Sequence, residues 1–320
     1  MQISDVLYGF YFDKDGLHQQ IEHSSELEVT KPHWLHFDYT SLSTVEWLKQ
    51  HSGLNSTVIN ALLDEETRPR ATALGDGILI SLRGVNLAAG SNPEDMVSIR
   101  LWVTKNNVIS TRRRKLLSTQ DIANDFNLGN GPSSAPKFVI DLTEKLISRM
   151  SDTINEIEEK VADIEENIIT STNYSLRNEL SILRRQIISL RRYLSPQKDA
   201  MLQLLSEKIT LFSTEEKIQL RETLDHLVRY IEDLDSIKDR AAVSQEELSN
   251  RLAEQMNNRM YVLSIVAAIF LPLGFLTGLL GINVGGIPGA ENNNSFVIFT
   301  LLLVGVVAIQ IWIFKKKKWF

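Results

Sequence analysis

The chain has 320 residues, 43% of them hydrophobic and 23% charged, with 34 basic against 40 acidic side chains, a formal net charge of −6 and no cysteine. This length allows about two domains, and the acidic balance argues against a protein built to neutralise nucleic-acid phosphates. Without thiols, disulfide scaffolds, thiolate zinc sites, iron–sulfur clusters and cysteine nucleophiles are all excluded.

The N-terminal MQISDVLYGF lacks the basic region and apolar stretch of a signal peptide. Beyond it, short apolar runs at Gly77 to Val85, Ser98 to Val103 and Val108 to Thr111 read as strands, with Asn106-Asn107 as the turn between the last two. Thr44 to Gln50, Ser56 to Leu63 and Asp121 to Phe126 read as helices. A first domain over 1–136 is therefore expected to be α/β or α+β, its strand order unreadable. His33 and His36 have a spacing that suits a metal, but Pro32 argues against a helix there. Arg112 to Lys115 read as a solvated strand end before a nucleic-acid or lipid patch. Gly129-Asn130-Gly131 lacks the lysine of a phosphate-binding loop, and no Ser/His/Asp constellation stands out, so no enzyme is expected.

The stretch Gly129 to Pro136, rich in glycine, proline and serine, marks a boundary. After it, 137–255 reads as a helical stalk. One helix is expected from about Leu142 to Thr170, a second from about Ser175 to Tyr193 before Pro196, and a third over Lys198 to Leu211. Ser213 or Thr214, with Glu216 or Lys217 downstream, resembles a helix start. From there the row Leu220, Leu224, Leu227, Ile231, Leu234, Ile237, Ala241, Leu248, Leu252, Met256 runs on without a breaker. If Glu215 to Ile282 is one helix, its 68 residues reach about 100 Å. A helix so long cannot bury its stripe on one small domain, so oligomerisation follows. Two acidic groups, Glu158, Glu159 and Asp163 (with Glu156, Glu165 and Glu166 beside them) and the row Glu232, Asp235 and Asp239, are candidates for cytoplasmic metal sensing between subunits. They read first as solvated helix faces, because basic residues are interspersed.

The last part, 256–320, reads as a membrane domain. Tyr261 to Ile282 is 22 residues without a charge, about 33 Å as a helix against a hydrocarbon core of about 30 Å. Phe296 to Phe314 is a second such run of 19 residues, about 28 Å as a helix. Arg251 and Arg259 precede the first span and Lys315 to Lys318 follow the second, while the loop 283–295 between them holds a single charge, Glu291. The positive-inside rule then puts both termini in the cytoplasm, with the loop outside. In heptads, Asn257, Ser264, Leu271 and Gly278 form one row of the first span and Met260, Ala267, Gly274 and Gly281 the next. Such small or weakly polar residues suit either a close-packed helix interface or a pore lined by several copies of the helix. With no carboxylate, histidine or arginine inside the span, a side-chain proton relay is disfavoured.

The end of the first span, Phe270-Leu271-Pro272-Leu273-Gly274-Phe275-Leu276-Thr277-Gly278-Leu279-Leu280-Gly281-Ile282-Asn283, resembles the signature of CorA-type divalent metal-ion transporters, whose hallmark there is Gly-Met-Asn. Ile282 replaces the methionine, and with Val284 to Gly289 this is similar to the zinc-transporter branch, ZntB. Three further stretches resemble that branch: Glu66 to Arg70, Ser110 to Lys115, and Arg191 to Asp199.

The resemblance implies a funnel-shaped homopentamer in a bacterial inner membrane, carrying divalent cations with no tightly bound cofactor and no nucleic-acid partner. Zinc is the first expectation, with proton-coupled uptake left open. It places Asn257, Met260, Leu263, Ala267, Leu271 and Gly274 on the pore, with Gly281, Ile282 and Asn283 as the selectivity motif. Glu291 would attract cations electrostatically. The alternatives are magnesium, cobalt or nickel permeation, as in the wider family, or a membrane-anchored helical scaffold or sensor without a pore. Zinc itself has no coordination argument here: it prefers nitrogen and sulfur ligands, and the stripe offers only the Met260 thioether.

Overall fold

The computed structural model describes residues 6–12, 20–21, 27–65, 67–170, 174–281, 287, 289 and 292–317. They form two compact units, Met1–Glu246 and Glu247–Phe320.

The first unit is built on a six-stranded sheet: β1 (Val6–Tyr11), β2 (His33–Asp38), β3 (Arg70–Leu74), β4 (Gly77–Gly84), β5 (Val97–Val103) and β6 (Val108–Arg112). The order is β1-β2-β6-β5-β4-β3. All neighbours are antiparallel except β2 and β6, which run parallel from Trp34 beside Val108 to Asp38 beside Arg112. Consecutive strands β3 to β6 form a meander of hairpins. Gly75, at φ 59°, takes the left-handed conformation in the turn between β3 and β4 that a side chain would resist. In the turn between β5 and β6, the Thr104 N–H donates to the Asn107 carbonyl and the Asn107 N–H to Thr104 Oγ1, at 2.9 and 3.0 Å.

Both faces of the sheet are buried. Trp34, Ile80, Leu82, Ile99, Leu101 and Val108 point to one core, closed by α3 (Leu117–Asn127) and α4 (Ala135–Ser148) and joined by Ala200 and Leu204. Leu35, Phe37, Leu79, Trp102 and Ile109 point to the other, closed by α1 (Leu42–Gln50) and α2 (Ser56–Leu63). This is why β2 escapes a search for alternating residues: in His33–Asp38 five of six residues are buried, the mark of a strand covered on both sides. β3 escapes it for the opposite reason, because it is an edge strand with no buried residue.

The helices after α4 are α5 (Met150–Thr170), α6 (Tyr174–Leu204) and α7 (Thr214–Gly281). Two expectations are corrected. The helix expected over 142–170 is two, interrupted at Arg149; no glycine or proline marks the break, and the Arg149 guanidinium is held by Asp121 of α3 at 2.5 and 3.0 Å. The helices expected on either side of Pro196 are one, α6, with Pro196 inside it. An interior proline costs a helix about 3 kcal/mol. Burial of Leu190, Leu194, Gln197, Ala200, Met201 and Leu204 around the proline outweighs that cost. At the start of α7, Ser213 and Glu216 form a capping box: the Ser213 N–H donates to Glu216 Oε2 and the Glu216 N–H to Ser213 Oγ, at 2.7 and 3.3 Å.

Ion pairs tie α7 to α5 and α6. Arg240 reaches Glu165 and Glu158 at 2.7 and 3.2 Å, and Arg191 reaches Asp235 at 2.8 Å. In the second unit, the rest of α7 is accompanied by α8 (Ser295–Lys316).

Candidate functional site: the apolar helices

The second unit carries two helices long and apolar enough to cross a membrane, the end of α7 and α8. Three hydroxyls inside these helices bond their own backbone. Ser264 donates to the Met260 carbonyl, Thr277 to Leu273 and Thr300 to Phe296, at 2.8, 2.9 and 2.8 Å, as suits a surrounding with no water to bond. Gln310 of α8 behaves differently: its Nε2 donates to the Ala268 carbonyl of α7 at 3.2 Å. The charge pattern of the spans gave no hint of this contact.

α7 has a covered and an uncovered side here. Ile265 is buried and Ala268, Ile269, Pro272, Leu273 and Leu276 are half-buried, on the side of the Gln310 bond. Asn257, Met260, Leu263, Ala267, Leu271 and Gly274 are all exposed, Leu271 at 73%. Gly274 sits at the border, where it shares an apolar groove with Thr277, Leu303, Val304 and Val307. A Cβ added at Gly274, Gly278 or Gly281 would meet nothing within 4 Å. Gly281 ends α7; Ile282, Asn283 and Glu291 lie outside the described residues.

Of the acidic candidates on the stalk, Glu158 pairs with Arg240, Asp235 with Arg191 and Lys238, and Asp239 with Lys238 at 3.3 Å. Glu159, Asp163 and Glu232 are exposed. Among the described residues of the single chain, no group of three or more histidines and carboxylates is placed to hold a metal ion.

His33 and His36 do not meet, since residues three apart on a strand face opposite sides of the sheet. His36 is fully buried, stacked on Tyr8 with 5.7 Å between ring centroids, and its Nδ1 lies 2.8 Å from Ser110 Oγ. Burial, helped by the Arg112 charge, lowers its pKa to about 3. With the folded value below the unfolded one of about 6.5, the neutral ring stabilises the fold fully above pH 6.5. That contribution is lost as pH falls toward 3, at about 1.4 kcal/mol per pH unit inside the window. His36→Gln should therefore flatten the acid side of the stability curve between pH 6 and 4. Parallel curves for the two proteins would show that another group sets the slope.

Two of the three stretches outside the spans meet at Arg83 of β4. Its Nη2 donates to the Thr67 carbonyl at 2.9 Å, its backbone N–H to Gln197 Oε1 at 2.7 Å, and its guanidinium lies 4.0 Å from the Tyr193 ring centroid. Arg113 pairs with Glu65 at 3.4 Å. Burial, and then the neighbouring Arg100, Arg114 and Arg192 charges, lower the Arg83 pKa, against the effect of Tyr193. These residues clamp α6 to the sheet. Sequence spacing carries no sign of the clamp, because its α6 members, Tyr193 and Gln197, lie more than 100 residues from Arg83.

A mixed α/β unit, a 68-residue helix whose end is apolar and a second apolar helix as the next element fit a membrane protein. The chain belongs to the CorA family: residues 30–316 match the family described as CorA-like Mg2+ transporter protein. It is 36% identical over 319 residues to the zinc transport protein ZntB of Yersinia pseudotuberculosis, covering 100% of this chain and 97% of that one. The corresponding protein of Pectobacterium carotovorum is 37% identical over the same coverage. Among solved structures, the full-length CmaX protein is 36% identical with a TM-score of 0.86, covering 99% of this chain and 98% of that one. Membership makes the chain a transporter and not an enzyme.

Proposed function

We propose that the protein carries divalent cations, Zn2+ first, across the bacterial inner membrane as a homopentamer, with both termini in the cytoplasm and five copies of the α7 span around a central pore. One observation carries the reading. In a chain of the transporter family, the row Asn257, Met260, Leu263, Ala267, Leu271 and Gly274 lies on the side of α7 left exposed, where a neighbouring copy and a pore require it. Full-length similarity to zinc transport proteins favours zinc as the cargo.

In this reading, five Asn283 side-chain oxygens, backed by the carbonyls of Gly281 and Ile282, form a neutral oxygen ring at the outer mouth. Such a ring holds a cation through its water shell and avoids the dehydration that small divalent ions resist. Glu291 in the outer loop raises the local cation concentration. Deeper in, Leu263 and Leu271 form apolar collars that block ions when dry and pass them when wet. The acidic residues Glu158, Glu159, Asp163, Glu232, Asp235 and Asp239 would sense cytoplasmic cations between subunits.

The test is flux into proteoliposomes carrying zinc- and magnesium-sensitive dyes, with and without a pH gradient. Zinc flux above magnesium flux is expected, and its response to the gradient decides proton coupling. Magnesium entering faster than zinc would assign the wider family's cargo. No flux of either ion through an intact oligomer would leave a scaffold or sensor.

A further inference from the structure

In an α-helix each N–H bonds the carbonyl four residues earlier. Pro272 has no N–H, so within α7 the carbonyl of Ala268 loses its regular donor, inside a segment that reads as spanning the membrane. An unpaired carbonyl is expensive in hydrocarbon, and neighbouring helices commonly supply the missing donor. Gln310 Nε2 of α8 stands 3.2 Å from that carbonyl. Apart from Thr300, which bonds its own helix at Phe296, Gln310 is the polar residue of the run Phe296 to Phe314. Its Oε1 is buried without a partner, so the amide costs something to keep there, and the bond to Ala268 is what offsets that cost.

We propose that Gln310 is a positioning residue for the pore helix, its amide closing the hydrogen-bond gap that Pro272 opens in α7. Ala268 follows Ala267 and Pro272 follows Leu271, so the bonded carbonyl and the proline each stand next to a position of the exposed row. A proline without its neighbour's donor is a point where a helix bends. With the donor in place, α8 sets the direction in which Leu271 and the residues after it point. The part of the inference concerning transport rests on the proposed function; the bond itself does not.

A double-mutant cycle reads the bond. Gln310→Leu removes the donor while keeping the bulk, and Pro272→Ala returns an N–H to α7, after which Ala268 no longer needs Gln310. In the Pro272 background, Gln310→Leu should lower the maximal zinc flux about five-fold, with the half-saturating concentration unchanged because the outer mouth is untouched. It should also lower the unfolding midpoint of the detergent-solubilised oligomer by about 2–4 °C. In the Pro272→Ala background, the same substitution should lower neither. Equal losses in both backgrounds would mean that Gln310 acts by packing, and no loss in the first would mean that the bond does nothing; either overturns the inference. If Pro272→Ala does not assemble, Pro272→Leu restores the same N–H. The midpoint cycle reads the bond even if the wild type moves no zinc, so failure of the inference and failure of the transport reading remain distinguishable.

Discussion

Asn283→Ala is expected to reduce zinc flux by at least about 100-fold while the oligomer stays intact. In the proposed pentamer five subunits would each lose one amide at the same point, so the substitution would remove a whole ring of acceptors. If each bond to the ion's water shell is worth about 1 kcal/mol net, five together amount to about 5 kcal/mol, a factor in the thousands. The 100-fold figure leaves room for carbonyls at Gly281 and Ile282 to compensate in part. Size-exclusion chromatography of the purified variant separates loss of the ring from loss of assembly. Glu291→Gln serves as a contrast: in the proposed outer loop its charge would raise the local concentration only, so its removal should cost a few-fold at low salt and almost nothing at high salt. Flux persisting in Asn283→Ala would remove the amide ring from the mechanism and move selectivity into the span.

Trp34→Ala is expected to destabilise the α/β unit by about 3–5 kcal/mol, the range for emptying a buried aromatic site. Trp34 is wholly buried in β2, at the single parallel junction of the sheet, beside Val108 of β6. Its ring lies 4.7 Å from Phe138, 5.8 Å from Phe126 and 6.1 Å from Phe10, centroid to centroid. Removing it thus opens a cavity shared by strand β1 and helices α3 and α4. Its Nε1 also donates to Ser110 Oγ at 2.8 Å, and that hydroxyl sits beside His36. Trp34→Phe keeps most of the volume and loses the hydrogen bond, so it should cost about 1–2 kcal/mol. Urea unfolding of the full-length protein in detergent measures both. A loss under about 1 kcal/mol for Trp34→Ala would mean that the aromatic cluster closes over the gap.

What was legible in the sequence is what depends on neighbours along the chain. The two apolar helices follow from charge-free windows, and the reach of α7 from a 3.6-residue pattern without a breaker, capped at Ser213 by a box four residues long. The hairpin at Asn106-Asn107 and strands β4 to β6 are also local, since turn chemistry and apolar runs specify them. Helical spacing by itself reads most of the row on the span, but it picks Ser264 where the family resemblance picks Leu263.

What only the tertiary structure decided is what depends on partners distant along the chain. β2 became a strand because both of its faces found a core, and β3 because β4 offered an edge. α6 continued through Pro196 because burial on either side outweighed a local penalty. Arg83 draws on Thr67 and Gln197, and the carbonyl that Pro272 strands finds Gln310, which lies 42 residues beyond Ala268. In each case the local preference is worth a few kcal/mol at most, and a buried donor or apolar face that must be satisfied is worth as much or more.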